Sequence, residues 1–333
     1  MGAIGTKNNL LDIAKKMDPD GRMAQVAEVL HQVNPIVQDM PMLESNLPTG
    51  NRVTIRTGLP TVAFTRINQG TDRSKSTTKQ RTDTIGILTG RSEFDRRLRH
   101  VAGGDLNAAR WDEDQTFVEA MGQIAAEYTL YGDELTNDAA FTGLIPRYSK
   151  ISSGEYAGLI VNGGGSGSDN TSIVIVDWGE RTVHGIYPRG SKGGLEVRDL
   201  GEQDALDAAS KPYRALVTDY EWALGLTLKN HKHVCRICNI DVGDLLTTGT
   251  ANDAAANLIH KLIDADYAMD PAGGASRVAY CGKAVLQALD KMVLAKSNLA
   301  LSWGEWAGQR VVTFRGLPIR RVDQFIENEA KVT

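Results

Sequence analysis

The sequence predicts an α+β protein whose body of antiparallel strands and helices carries a long projecting ribbon. Three observations predict this. Two β-branched runs flank a long polar stretch between residues 51 and 90. One helix of about 20 residues stands apart at 112–131. After residue 245 the pattern changes from strands to alternating helices and strands.

The chain has 333 residues, room for two or three domains or for one body with extensions. Hydrophobic residues make up 41%, enough for a core. A net charge of −4 is too mild for a protein that binds nucleic acid over its whole surface. The charge is unevenly divided, however. Residues 51–100 carry 11 Lys/Arg against 4 Asp/Glu, and the rest of the chain 26 against 37. A basic segment on an acidic body is suited to attract copies of the same chain. The plain alternative is a solvated basic loop. Three cysteines, Cys235, Cys238 and Cys281, do not make a disulfide framework and fit folding in a reducing cytoplasm. No apolar run approaches ~18 residues, so no membrane span is expected. The first residues lack the basic-then-apolar pattern of an export signal.

The first fifty residues do not pattern as a compact domain. Asp18-Pro19-Asp20-Gly21 signals a turn. Met23, Val26, Val29, Leu30 and Val33 then recur at helical spacing until Asn34-Pro35. Such an apolar stripe needs a cover, and a neighbouring subunit can supply it. In the ribbon, Val53 to Arg56 and Thr61 to Ile67 pattern as outgoing strands and Thr84 to Leu88 as the return. Between them, Gln69 to Thr84 holds no apolar side chain, so it cannot offset its ordering entropy by burial in its own chain. Limbs of this length reach roughly 50–60 Å when extended. A two-stranded ribbon is marginal alone and makes sense lying across another molecule; the alternative is a loose surface insertion.

Asp112, Glu113 and Asp114 place negative charge at the start of the helix, and Phe117, Met121, Ile124, Tyr128 and Tyr131 mark its stripe before Gly132 ends it. A glycine-rich turn at 162–168 precedes strands at Ser172 to Trp178, Arg181 to Tyr187, Tyr213 to Thr218, Trp222 to Lys229 and His233 to Ile240, read as antiparallel. The last block has helices at Asp253 to Tyr267 and Lys283 to Ala295, a strand at Arg277 to Cys281, and a strand-turn-strand with Gly316-Leu317-Pro318 as the turn.

Motifs for chemistry are weak. His231, His233, Cys235 and Cys238 have zinc-ligating side chains. On a strand, however, the first three would share one face and Cys238 the other, which favours structural cysteines. Gly185-Ile186-Tyr187-Pro188-Arg189-Gly190-Ser191-Lys192 misses the phosphate-loop pattern, because Ser and Lys are exchanged and a Pro intervenes. No Gly-x-Ser-x-Gly elbow or His-Glu-x-x-His pair occurs. No cofactor, metal or catalytic residue is therefore expected, and the protein is not expected to be an enzyme.

Several stretches resemble the capsid proteins of the epsilon-15 and Bordetella group of short-tailed phages. They are Asp12 to Gly21, Asn34 to Asn46, Tyr131-Gly132-Asp133 with Phe141-Thr142-Gly143-Leu144, Gly185 to Lys192, Arg236 to Asp241 and Arg315 to Arg320. Their order covers nearly the whole chain. The resemblance implies the capsid fold named for phage Hong Kong 97, in a permuted connection order. It implies an N-terminal arm at 1–50, an extended E-loop at 51–90, a peripheral domain at 91–245 with its spine helix at about 112–131, and an axial domain at 246–333. Expected inter-subunit contacts are Arg66, Arg73, Lys75, Lys79 and Arg81 of the E-loop and Met23, Val26 and Leu30 of the arm.

The implied role is a major capsid protein. It would form hexamers and pentamers of an icosahedral shell in the virion, assemble in the host cytoplasm and touch packaged DNA non-specifically. With no long helical prefix before the arm, a separate scaffolding protein is expected. A portal protein is the further partner, and a cement protein would reinforce a shell for which no motif demands Lys–Asn cross-linking. The alternatives are an encapsulin-like compartment shell and a soluble nucleotide-binding enzyme.

Overall fold

Nine consecutive residues, Asn170–Trp178, are buried along their whole length, and they form the central strand of the larger of two units. A run such as Ile173-Val174-Ile175-Val176 belongs to a strand covered on both faces. The structure, a computed structural model, describes residues 32–100, 106–207, 209–246, 251–293, 301–306 and 309–333. The arm residues Met23, Val26 and Leu30 lie outside the described residues.

In chain order the elements are α1 (Ile36–Asp39), β1 (Met42–Glu44), β2 (Gly50–Gly58), β3 (Thr77–Asp95), α2 (Leu106–Tyr131), α3 (Leu144–Arg147), β4 (Ile160–Asn162), β5 (Asn170–Trp178), β6 (Val183–Tyr187), β7 (Leu195–Leu206), β8 (Pro212–Leu228), β9 (Val234–Asp241), α4 (Val242–Leu246), α5 (Ala251–Ala268), β10 (Ser276–Cys281), α6 (Lys283–Val293), β11 (Leu301–Trp306), β12 (Gln309–Phe314) and β13 (Leu317–Arg321). Two compact units share them. One comprises Ile87–Ala125 and Gly194–Ala223 with the described Gln32, the other Val33–Gly86, Ala126–Gly193 and Leu224–Thr333.

In the larger unit β5 pairs antiparallel with β9 along one edge and with β10 along the other. β13 runs parallel to β10, and β12 and β11 continue the sheet by antiparallel pairing. Helices α5 and α6 cover one face. Leu258, Ile259, Leu262 and Ala265 of α5 and Val285, Ala288, Leu289 and Met292 of α6 bury against Ile173, Ile175, Cys235, Ile237, Phe314 and Ile319. The core therefore reaches across residue 246 into β5 and β9. Burial pushes the thiols of Cys235 and Cys281 up to about 12, which makes them packing residues.

In the smaller unit β7 and the first part of β8 form a hairpin interrupted by a bulge between Asp199 and Gly201. Phe117 of α2 stacks on Tyr220 with ring centroids 5.5 Å apart. Arg110 donates to Asp199 Oδ1 and Thr218 Oγ1, both at 2.6 Å, and its guanidinium holds the Asp199 carboxyl below the usual carboxylate range.

Several expectations need correction. Thr61 to Ile67 is not a strand. β2 ends at Gly58, where the register with β3 shifts, and Pro60 follows with no N–H to donate. The return strand begins at Thr77, so half of the polar stretch is ordered by backbone pairing with β2 instead of by apolar burial. The spine helix starts at Leu106 and not at 112, and its buried stripe holds Met121, Ala125 and Leu130 while Ile124 is exposed. The two strands expected at Tyr213 to Thr218 and Trp222 to Lys229 are one strand, β8, which ends at Leu228. His231–His233 is a 3-10 turn, so the following strand begins at Val234. The turn before β13 is Arg315-Gly316, with φ of 50° and 88°, as a two-residue hairpin of this hand demands; Leu317 and Pro318 are already in the strand. Of the strands expected to be antiparallel, β5 and β6 meet in parallel at Trp178 and Val183, whereas β5 with β9 and β6 with β8 are antiparallel.

Candidate assembly interface

The ribbon of β2 and β3 is anchored at one end and bare at the other. Gly50 pairs with Thr84 and Arg56 with Thr78. At the anchored end the Asp83 side chain is 3% exposed, accepts a hydrogen bond from Arg147 Nη1 at 2.7 Å and lies 3.3 Å from Arg81 Nε. Arg81 also donates to Tyr156 Oη at 2.6 Å, and Lys79 pairs with Glu155 at 3.2 Å. Of the five basic residues expected to face other subunits, these two are engaged within their own chain. Arg66, Arg73 and Lys75 are exposed and make no ion pair among the described residues.

Beyond Gly58 the chain exposes large apolar side chains. Leu59, Val62 and Ile67 are 80%, 88% and 94% exposed, and Phe64 is wholly exposed. This segment thus exposes both apolar side chains and the basic Arg66, Arg73 and Lys75, the two chemistries that protein-binding surfaces combine.

The other motifs resolve into structural elements. Gly190 N donates to Glu44 Oε1 at 2.8 Å, so a carboxylate of the chain itself holds the amide of the near-miss phosphate loop, and no helix follows it. The glycine-rich turn is tied down, with Gly163 N and Gly165 N donating to the carbonyls of Cys238 and Asn239. A Cβ at Gly163 would lie 2.7 Å from Asn239 O, which is why glycine is needed there. His233 Nδ1 lies 2.8 Å from Asp177 Oδ2, Cys235 is in the core, and Cys238 Sγ contacts Val161 O at 3.7 Å. Among the described residues no three His, Cys, Asp or Glu side chains converge as a metal site. None of the described helices is long and apolar enough to cross a membrane.

Residue patterning did not single out the buried ion pairs. Asp177 is bound by Arg277 through Nε at 2.6 Å and Nη2 at 2.9 Å, and Arg236 by Glu329 at 2.8 Å. One signal was available: Asp177 and Arg236 are lone charges inside buried apolar runs, and such a charge needs a partner. The partners, 100 and 93 residues away, carry no local signal.

A ribbon with a bare tip, a long helix and a sheet covered by α5 and α6 define a shell subunit of the Hong Kong 97 type, a class built to be completed by copies of itself. The particular family is major capsid protein GP7: its profile matches residues 18–333, and the chain belongs to it. A chain in the cryo-EM structure of bacteriophage Epsilon15 is 30% identical, with a TM-score of 0.76 over 100% of this chain and 99% of that one. The capsid of bacteriophage JBD30 matches at 11% identity and a TM-score of 0.49, over 90% of this chain and 93% of that one. The SrpI encapsulin of Synechococcus elongatus matches at 11% and 0.40, over 65% and 92%. No curated protein matches the chain. The protein is thus a capsid component of a virion that assembles with many copies of itself.

Proposed function

We propose that the chain builds the hexamers and pentamers of an icosahedral shell around a double-stranded DNA genome, and that its role is structural and not catalytic. Assembly takes place in the host cytoplasm with a separate scaffolding protein, a portal protein and a cement protein as partners, and the finished shell touches DNA non-specifically. Residues 1–50 act as the arm and 51–90 as the E-loop, with Arg66, Arg73 and Lys75 reaching a neighbouring copy. The peripheral domain draws on 91–245. The axial domain is 246–333, whose helices α5 and α6 pack on β5 and β9.

The observation that carries this reading is the exposure of Leu59, Val62, Phe64 and Ile67 within nine residues. Nothing in the chain's own described body covers them, and repeated weak contacts of this kind add up in a closed shell. Sedimentation velocity over a concentration series, with negative-stain images of each fraction, tests it. Capsomers, sheets or shells are expected. A strict monomer at every concentration, with and without scaffold, rejects the reading.

A further inference from the structure

We propose that Asp83 and Arg147 form a positioning clamp: the pair fixes the direction in which the β2–β3 ribbon leaves the body, and with it the curvature at which neighbouring copies join. The second half of this statement rests on the shell-forming role proposed above.

The clamp is buried and tied to backbone on both sides. Asp83 Oδ1 accepts from Arg147 Nη1 at 2.7 Å, and Oδ2 accepts from Leu228 N at 3.3 Å. Arg147 donates as well to the carbonyls of Thr142, Gly143 and Leu226. One guanidinium thus joins the strand that carries the ribbon to the end of β8 and to the loop before α3. Its planar fork imposes direction as well as attraction, which a lysine cannot do.

Close backbone contact reinforces the clamp. A Cβ at Gly86 would lie 2.9 Å from Ala139 O, and one at Gly225 would lie 2.6 Å from Thr84 O. Thr84 Oγ1 donates to Glu134 Oε2 at 2.7 Å. The base of the ribbon therefore sits in a fitted socket, whereas its outer part keeps mostly exposed or half-buried side chains.

Leverage gives the clamp its consequence. From Arg52 to Gly58 the ribbon extends ~20 Å, so a tilt of about 10° at its base displaces its end by roughly 3–4 Å. That is enough to break side-chain contacts with a neighbour, and the segment 59–76 extends the lever. A buried ion pair contributes registration more than net stability. The pair's expected role is therefore to set an angle.

Full-length Asp83→Asn and Arg147→Lys subunits, with Lys150→Ala outside the ribbon as an exposed control, test the proposal. In unassembled subunits, amide exchange in Arg52–Arg56 and Gln80–Thr84 should accelerate at least tenfold, while β5, β9 and β10 stay within twofold of wild type. The two variants should need at least fivefold higher concentration to assemble and should close into shells of mixed diameter, whereas Lys150→Ala behaves as wild type. Shells of wild-type diameter at wild-type concentration from either variant overturn the clamp. So does equal loosening of β5, β9 and β10, because the pair would then serve general stability. If wild-type subunits never assemble, the shell reading is what fails, and the exchange pattern alone decides whether the pair holds the ribbon.

Discussion

Arg236 and Glu329, 93 residues apart, meet at 2.8 Å with their side chains 4% and 6% exposed. Tyr131 and Ser172 donate to the same carboxylate, and Arg236 donates to the carbonyl of Tyr148 at 2.9 Å. Nearby, Asn239 Oδ1 accepts from Val332 N at 2.8 Å and its Nδ2 donates to Val332 O at 2.9 Å. Residues 329–332 are thus fastened to β5, β9 and the end of α2 by side chains, although they contain no strand of their own.

Removing one member of this pair should cost far more than removing both. Glu329→Ala leaves the Arg236 guanidinium buried without its partner, which costs about 3–5 kcal/mol. Arg236→Met combined with Glu329→Leu should recover most of that loss, because neither charge then has to be desolvated. Urea unfolding of unassembled subunits measures both. A Glu329→Ala subunit as stable as wild type would show that the pair is unimportant.

Gly143 and Gly122 should respond oppositely to alanine. A Cβ at Gly143 would lie 2.5 Å from Tyr128 O and 2.8 Å from Thr129 O, against the last turn of α2. The backbone there has to move, and Gly143→Ala should lose about 1–3 kcal/mol. At Gly122, inside the same helix, no described atom beyond the helix's own local backbone lies within 4 Å of an added Cβ. There Gly122→Ala should gain up to about 1 kcal/mol from helix propensity. Thermal unfolding of the two variants side by side checks the signs; equal effects would contradict the packing described at Gly143.

Acid should weaken the larger unit through His184. His184 is 2% exposed, and its Nδ1 has no hydrogen-bond partner among the described residues. Burial first, and then the charge of Lys229, pushes its imidazole down to about 4. The unfolded chain takes up a proton near the ordinary value of 6.5, whereas the folded chain resists until about 4. Protons therefore favour the unfolded state progressively as pH falls through this window, and above it the neutral ring costs nothing. The full loss is on the order of 3 kcal/mol. Burial shifts His231 in the same direction. His184→Gln should flatten the pH dependence of urea midpoints between pH 6.5 and 5; an unchanged slope would acquit this residue.

Local sequence made the elements legible, but it was a poor guide to the partners of buried charges. The apolar run of β5 and the spacing of Leu258, Leu262 and Ala265 each encode their own burial. The basic, apolar-free stretch after Gln69 marked the ribbon without showing where its strand resumes. That point, Thr77, depends on the pairing with Gly58 across the tip, which is tertiary information. Helix α2 departs from its sequence pattern for a related reason. Its apolar residues are spread around the axis, so the stripe read from aromatic spacing was not the one that packing selects, and the small Ala125 and Ala126 are buried while Ile124 is exposed. The Asp83–Arg147 clamp gave no signal, because nothing in either residue's neighbourhood in sequence distinguishes it from a surface charge.

The tip should separate apolar from electrostatic contributions to assembly. Val62 and Phe64 touch little of their own chain, so Val62→Ser with Phe64→Ser should leave the unfolding midpoint of the unassembled subunit unchanged. Assembly should nevertheless require at least tenfold more protein, because the apolar area has no other use. Arg73→Glu with Lys75→Glu should also weaken assembly, but in a salt-dependent way. At ~0.1 M salt the Debye length is about 10 Å and the reversal is felt; at ~1 M it is about 3 Å and variant and wild type should converge. The serine variant should keep its deficit at both concentrations, since burial of apolar surface is not screened. Light-scattering assembly curves at the two salt concentrations distinguish these outcomes. Wild-type curves from the serine variant would mean that the exposed tip is not where copies of this chain meet.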